Sequence, residues 1–302
     1  MAERKRVAAL GFFDGVHLGH QALMTKAREQ AAVLGATPAV ITFDAHPDTF
    51  VRGVEVPLLE SMDNRRELIA RAGGIEDVTF LHFDRAFMRT PWEDFIRSVV
   101  EDMGAVHLVM GHDFSCGWRG LGTAERIAAW CEAHGVGWDI VEQVKLDGVV
   151  VSSTYIRGLV TAGDMERAAR FLGHPYSVSD RVIHGYQRGR RMGIPTINFP
   201  IPAGVIVPRH GVYATVAWLP DGPRPAVTNV GVRPTFQGDS HVTVETNLLD
   251  FEGELYGLRA RIEFLAFLRD ESRFPSQEEL AAQIRRDIET ARRYFREQEE
   301  GL

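Results

Sequence analysis

The chain has 302 residues, a mass of 33.7 kDa, and 45% hydrophobic and 25% charged residues. That length and composition suit two globular domains and exclude collagen-like, low-complexity or wholly disordered readings. A net charge of −7 and a pI near 5.9 leave no global basic field for nucleic acid. Its two cysteines, Cys116 and Cys131, make neither a disulfide framework nor a zinc-ligand spacing, so a reducing cytoplasm is the expected setting.

From the N-terminus, the apolar run 7–10 is too short for a signal-peptide core, and no run approaches the roughly 18 apolar residues of a membrane span. Residues 7–12 read as a strand and 18–34 as a helix, with Leu23, Ala27, Ala31 and Leu34 on one stripe. A strand at 39–43, a helix capped by Asp63 and running through 72, and a strand at 77–83 follow. Thr90-Pro91-Trp92-Glu93 predicts a helix to about 103 with a capping Thr, a Pro in the first position and a reciprocal Glu. A strand at 106–110, a helix at 123–134 and a strand at 137–144 complete the alternation. Strands separated by helices of this length predict a parallel sheet with right-handed crossovers.

The pattern changes after about residue 175. Runs 177–183, 212–219, 226–230, 241–249 and 258–267 read as strands with no helix between them. Val242, Val244, Thr246 and Leu248 share one face; Thr243, Glu245, Asn247 and Leu249 share the other. A small antiparallel barrel or sandwich is expected. Ser276 with Glu279 predicts a capping box, and Leu280, Ile284, Ile288, Ala291 and Phe295 an apolar stripe on a terminal helix. The boundary falls near 172–176, giving domains 1–174 and 175–302.

Gly11-Phe12-Phe13-Asp14-Gly15-Val16-His17-Leu18-Gly19-His20 sits where the first strand meets the first helix, the place where an open α/β sheet binds ligands. A helix N-terminus there offers N–H groups and a positive dipole end to phosphate. Gly11 and Gly15 allow close backbone approach. His17 and His20 are three apart, so both rings can face one phosphate and donate to charge building on a phosphoryl oxygen. A single His here is as readily a surface or capping residue. The pair lacks the carboxylate or third ligand that a metal at helical spacing would require. Further on, Ser152-Ser153-Thr154 opens a short helix, where the hydroxyls can cap it or bind phosphate. Arg157 can clamp a polyphosphate with two parallel hydrogen bonds or lie in a surface ion pair.

Taken together, these stretches resemble the nucleotidyl-transferase signature of bacterial bifunctional riboflavin kinase/FAD synthetases. Ser152–Arg157 matches their second adenylyltransferase motif. Thr42-Phe43-Asp44-Ala45-His46-Pro47 and Gly111-His112-Asp113-Phe114-Ser115-Cys116-Gly117 match two further blocks, all in the family's order across nearly the whole chain. The resemblance implies an α/β plus all-β protein: a Rossmann-like nucleotidyltransferase sheet, then a small riboflavin-kinase barrel with a terminal helix. It implies AMP transfer from ATP to FMN with release of pyrophosphate. His17, His20 and Arg157 would act on the phosphates; Gly11, Phe12, Asp14, Gly19, Asp113, Ser153 and Thr154 would line the nucleotide and flavin sites. The nucleophile is then a phosphate oxygen, already mostly ionised with a second pKa of about 6. No general base is needed, and positioning plus charge stabilisation carry the step. Phe12 stands where many relatives have Asn, Cys116 where they usually have Phe, and Ala45 where they usually have Pro. These departures bear on flavin contacts rather than on ATP. Phe50 is a further aromatic candidate.

In the second domain, Gly189-Arg190-Arg191-Met192-Gly193-Ile194-Pro195-Thr196-Ile197-Asn198 places Thr196 and Asn198 on one side if extended. Their oxygens suit Mg²⁺, although on spacing alone a polar strand face explains them as well. The stretch resembles the Pro-Thr-Ala-Asn motif of riboflavin kinases, whose Thr and Asn hold nucleotide-bound magnesium, with Gly193 and Pro195 at the nucleotide and Ile197 replacing Ala. Glu245, before Leu248-Leu249-Asp250-Phe251, resembles the kinase's catalytic Glu, a proton acceptor suited to an alcohol nucleophile. Gly211–Ala214 and Asn229–Phe236 match kinase blocks, though Gly-rich corners are equally tight turns. The implied ligands are ATP, riboflavin, FMN and FAD, with Mg²⁺ carried by ATP. No nucleic-acid or membrane partner is expected, and the chain should be a monomer or weak homo-oligomer. The rival readings are a nucleotidyl transferase with another acceptor, such as a phosphosugar, and a non-enzymatic flavin binder.

Overall fold

A computed structural model describes residues 5–183, 196–234, 240–251, 253 and 255–300. The chain forms two compact units, Met1–Ser153 and Thr154–Leu302. Gly193 and Pro195 lie outside the described residues.

The first unit runs β1 (Arg6–Leu10), α1 (Leu18–Leu34), β2 (Thr37–Phe43), α2 (Pro47–Val51), α3 (Met62–Leu68), β3 (Asp77–Leu81), α4 (Trp92–Glu101) and β4 (Ala105–Gly111). A short hairpin, β5 (Ser115–Cys116) with β6 (Gly122–Thr123), precedes α5 (Ala124–His134) and β7 (Gly137–Val141); β8 (Lys145–Leu146) and β9 (Val149–Val150) make another. The five long strands pair in parallel in the order β3-β2-β1-β4-β7. The chain winds outward from β1 in one direction and then restarts at β4 in the other, so the switch point lies between β1 and β4. Both sheet faces are covered, which is why the strands read as continuous apolar runs. One face packs Phe95, Ile96, Ile127 and Cys131; the other packs Met24, Ala27, Ile69 and Ile75.

Local chemistry departs from expectation at three places. On α1 it is Met24, Ala27 and Ala31 that are buried, while Leu34 in the last turn is 45% exposed. Ser61, not Asp63, caps α3, accepting from the Asn64 N–H at 3.4 Å; Asp63 instead sits in the first turn, where its charge complements the dipole. The regular helix ends at Leu68 and widens into a π turn through Gly73. A Cβ at Gly73 would lie 2.2 Å from Met24 Sδ, so the turn presses its backbone against α1. The Thr90 capping box does not form. Pro91 itself occupies the N-cap of α4, one residue beyond Thr90, and the Thr90 carbonyl accepts from Trp118 N–H at 2.8 Å.

The second unit opens with α6 (Ser153–Ala162, its first residue still in the first unit) and α7 (Met165–Leu172). Then come β10 (Tyr176–Arg181), β11 (Thr196–Pro200), β12 (Gly211–Leu219), β13 (Gly222–Pro234), β14 (Ser240–Leu248), β15 (Arg259–Asp270) and α8 (Gln277–Glu300). The strands form one antiparallel sheet in the order β10-β15-β12-β13-β14-β11. Ile183 bridges Asn198, bringing the exit of β10 against β11 and curling the sheet into a barrel. The interior holds Tyr213, Phe264, Ile262, Phe199 and Val244. It also holds Thr215, Thr228 and Thr246, whose hydroxyls are chained at 2.8 Å, so these buried polar groups satisfy one another. Outside, Ile288, Ala291, Tyr294 and Phe295 of α8 cover Val212, Ala214, Val227, Leu249 and Ala266. That cover buries Leu249 on the face opposite Val244 and Thr246.

The helix is tied to the barrel by charge as well. Arg269 forks onto Asp287 at 2.8 and 2.6 Å, and Gln283 donates to the same carboxylate at 2.8 Å. Asp287 is buried. Asp287→Ala leaves the guanidinium without its counter-charge and should cost about 3 kcal/mol, read from the urea midpoint of the second unit's unfolding. Loss below about 0.5 kcal/mol, the level of an exposed pair, would show that the fork does not anchor α8.

Candidate active sites

The Gly11–His20 turn leaves β1 in left-handed backbone: Phe13, Gly15 and Val16 have φ of 60°, 81° and 42°. For a β-branched Val such a φ is costly and persists only where the surroundings over-determine it. Here they do. Phe12 O accepts from Thr42 Oγ1 and from Arg65 Nη1, each at 2.8 Å. Gly15 N–H donates to both Glu60 oxygens at 2.8 and 2.9 Å, and Asp14 Oδ1 accepts from Leu59 N–H at 2.8 Å. Ser153 Oγ donates to Asp14 O at 2.9 Å, and Gln21 Nε2 to Val16 O at 2.8 Å.

This clamp delivers the two histidines to the start of α1. Their rings stack with centroids 3.6 Å apart and planes 12° from parallel. His17 Nδ1 caps the helix by accepting from His20 N–H, so a neutral His17 carries its proton on Nε2. A Cβ at Gly19 would lie 3.2 Å from the His17 ring, which explains a glycine between the two. His20 is a half-buried residue, and its Nδ1 is buried and makes no hydrogen bond among the described residues. Burial holds the His20 pKa well below its ordinary 6.5, with the His17 and Arg65 charges acting in the same direction. The pair is therefore neutral at His20 and suited to donating toward an anion.

Other expected residues are placed differently. Asp14 is buried, with its carboxylate directed to backbone, so it holds the turn. Phe12 is stacked under the Arg65 guanidinium at 4.3 Å and meets His46 edge-on at 4.7 Å. Asp113 is 84% exposed at the carboxyl end of β4. The motif Ser152–Arg157 straddles the division of the chain: Ser153 reaches the turn, whereas Thr154 and a half-buried Arg157 belong to the second unit. Glu60 and Arg65 were not singled out in the sequence, where Glu60-Ser61-Met62-Asp63-Asn64-Arg65 reads as an ordinary charged helix start.

A cavity of about 560 Å³ lies in the same unit, walled by Phe43, Phe83, Phe87, Phe95, Cys116 and Trp118. Its size and aromatic walls suit a planar ring system. Asp44 braces one wall, accepting from Phe83 N–H at 2.9 Å and bonding His82 Nδ1 at 2.6 Å. Phe50 packs against Phe83, its ring centroid 5.8 Å away, and joins the same core layer. Cys116 lines the cavity, where burial and then the Glu93 charge push its thiol up to about 12; burial raises Cys131 to about 11. Thiolate is the reactive form. At pH 8 both thiols should therefore react with a disulfide reagent at least about 100-fold slower than free cysteine, and at the ordinary rate once urea unfolds the chain. Rapid titration of either thiol in the native protein would refute the raised thiol pKa values.

In the barrel, register sets the second site. Asn198 on β11 lies opposite Glu245 on β14, and Glu245 opposite Asn229 on β13. The three share one face, with side chains about 5 Å apart between strands. Thr196 lies two positions from Asn198 on the same face of β11 and opposite Asn247. Asn198 is buried and its Oδ1 accepts no hydrogen bond among the described residues. A buried, unsatisfied oxygen acceptor beside a threonine hydroxyl fits a hard cation that retains its waters. Among the described residues, no cluster of three His, Cys, Asp or Glu side chains could hold a metal. Glu271, not singled out in the sequence, brings its carboxylate against Gly231, where a Cβ would lie 2.4 Å from Oε1 and 3.2 Å from Asn229 Nδ2.

A doubly wound sheet with paired histidines at its switch point, followed by a barrel bearing an Asn–Glu–Asn row, is the build of a two-site nucleotide-dependent transferase. Residues 1–155 match the FAD synthetase family model and 172–295 the riboflavin kinase family model. Over 292 residues the chain is 33% identical to the bifunctional riboflavin kinase/FMN adenylyltransferase of Listeria monocytogenes, covering 96% of this chain and 92% of the relative. It is 36% identical over 287 residues to that of Pseudomonas fluorescens (95% and 92% covered) and 35% identical over 297 residues to that of Bacillus subtilis (97% and 93%). A solved structure titled a macrolide-efflux protein from Streptococcus pneumoniae aligns with TM-score 0.85 and 28% identity over 97% of this chain and 95% of that one. No helix among the described residues is long and apolar enough to cross a membrane.

The chain belongs to the family of bifunctional riboflavin kinase/FMN adenylyltransferases. It is an enzyme of FMN and FAD biosynthesis, with riboflavin kinase and FMN adenylyltransferase activities, and both activities use ATP with a divalent metal.

Proposed function

We propose that the barrel phosphorylates riboflavin with MgATP and that the α/β unit then transfers AMP from MgATP to the resulting FMN. The two reactions divide the chain into domains 1–174 and 175–302, a division supported by family matches that end at 155 and begin at 172. The observation that carries the adenylyl-transfer assignment is the stacked His17–His20 pair with its buried His20 Nδ1, unpartnered among the described residues, at the switch point. The adenylyl phosphate of ATP lies against these rings and the N-terminus of α1, and the isoalloxazine ring of FMN fills the aromatic cavity. The family resemblance, rather than any contact in the structure, assigns Gly11, Gly19, Ser153, Thr154 and Arg157 to the nucleotide chemistry. Asp113 serves the substrate from the end of β4. The FMN phosphate attacks the α-phosphorus of ATP. One P–O bond forms, the bond to pyrophosphate breaks, and no proton needs to be removed.

In the barrel, Glu245 accepts the proton of the ribityl alcohol as its oxygen attacks the γ-phosphorus; that P–O bond forms while the bond to ADP breaks and ADP leaves. Thr196 and Asn198 would hold Mg²⁺, which supplies charge neutralisation to the phosphates of bound ATP. The acidic charge balance and the two free cysteines support the proposed setting, a cytoplasmic monomer or weak homo-oligomer without nucleic-acid or membrane partners.

The test is a chromatographic time course with riboflavin, ATP and Mg²⁺. FMN should appear first and FAD after a lag. FAD without transient FMN, or FMN that is never adenylylated, would refute the sequence of the two sites.

A further inference from the structure

Arg65 is the largest fully buried side chain among the described residues, only 1% exposed, and it is not one of the residues assigned to substrate. Its guanidinium does three things at once. Nη1 donates to Phe12 O and Nη2 to Phe43 O, each at 2.8 Å, and the group lies 4.3 Å above the Phe12 ring. The two carbonyls mark the turn after β1 and the last residue of β2, so one planar fork ties together the carboxyl ends of adjacent parallel strands. A lysine ammonium is a point donor and cannot match that fork. Burial pulls the Arg65 pKa down, while Glu60, Asp14 and Asp44 act to keep it charged. Its Nε is buried and donates to nothing among the described residues. A buried cation kept at such cost calls for a task.

The task follows from which carbonyl it holds. Phe12 O precedes left-handed Phe13, and it is the carbonyl that Thr42 Oγ1 also reaches at 2.8 Å. Two donors on one carbonyl fill both lone pairs and fix the plane of the Phe12–Phe13 peptide. Rotation of that plane would release the strained φ of Phe13 and swing the following turn, with both histidines.

We propose that Arg65 is a positioning residue for adenylyl transfer, acting with Thr42 through the Phe12 carbonyl to hold the turn from which His17 and His20 project. The proposal rests on the assignment of these histidines to adenylyl transfer. Arg65→Met, Arg65→Lys, Thr42→Val and the Arg65→Met/Thr42→Val double variant are assayed for both reactions in the full chain. Arg65→Met should lower kcat for FAD formation about 100-fold, the loss typical of a misplacement near 1 Å. KM for ATP and FMN should stay within about threefold, and riboflavin phosphorylation should be unchanged. Arg65→Lys and Thr42→Val should each lose about tenfold. The double variant should lose no more than Arg65→Met, because both groups act through one carbonyl.

Multiplying losses in the double variant, or a loss carried by KM, would overturn the proposal. If Arg65→Met does not fold, Thr42→Val and Arg65→Lys decide: unchanged kcat in both overturns it. His20→Ala separates the two failures. If that variant still makes FAD, the underlying assignment fails; if it does not while the Arg65 and Thr42 variants do, only this inference fails.

Discussion

His20→Ala should cut FAD formation from supplied FMN by about 1,000-fold and leave riboflavin phosphorylation at its full rate, so that FMN accumulates. The size follows from the loss of one preorganised donor at a developing oxyanion, which costs about 100- to 1,000-fold. His20 stands at the upper end because its unused Nδ1 is sealed from water, where a donor is worth more than in solvent. Neutral His20 also sets a pH signature. The unfolded chain takes up a proton near 6.5, whereas the folded ring resists it. Between that value and the depressed folded-state pKa the unfolded state binds more protons, so stability falls as pH falls below about 6.5. His20→Ala should flatten that part of the melting-temperature profile of the first unit. Near wild-type FAD formation in the variant would remove the stacked pair from the reaction.

What could be read in advance was what the chain writes locally. The span of α1, the parallel and antiparallel halves, and the positions of His17, His20, Thr196, Asn198 and Glu245 all come from short-range pattern or motif. The clamp around the turn does not. Glu60 and Arg65 act on Gly15 and Phe12 from 45 and 53 residues away, and nothing in a helix start announces a carbonyl partner on another strand. Arg65 illustrates why composition rules fail there: a residue type expected at the surface is buried because two strand-end carbonyls need a fork. The aromatic cavity is similar, since its walls come from segments as separate as Phe43 and Trp118. Asp14 adds a bond that its motif does not announce: its carboxylate accepts from Leu59 N–H, 45 residues further on. Thr90 failed as a cap because Pro91 displaced it by one position, a steric choice between two locally plausible helix starts.

Glu245→Gln should reduce riboflavin phosphorylation by about 1,000-fold, yet supplied FMN should still become FAD at the wild-type rate. The amide keeps the shape and register of the side chain between Asn198 and Asn229, so a loss would report proton acceptance rather than packing. The asymmetry between the two active sites is the reason for the difference. A phosphate oxygen arrives at the first site already ionised, whereas the ribityl alcohol must lose its proton as the P–O bond forms. Only the phosphorylation therefore requires a base, and on β14 the register puts one carboxylate beside the proposed cation ligand Asn198. The nearby Glu271 offers a control, because its carboxylate lies beyond Asn229 rather than beside Asn198. If Glu271→Gln abolished phosphorylation and Glu245→Gln did not, the base would have to be reassigned across the same polar row. If Glu245→Gln instead raised KM for riboflavin with kcat intact, Glu245 would be a binding group and proton removal would belong elsewhere.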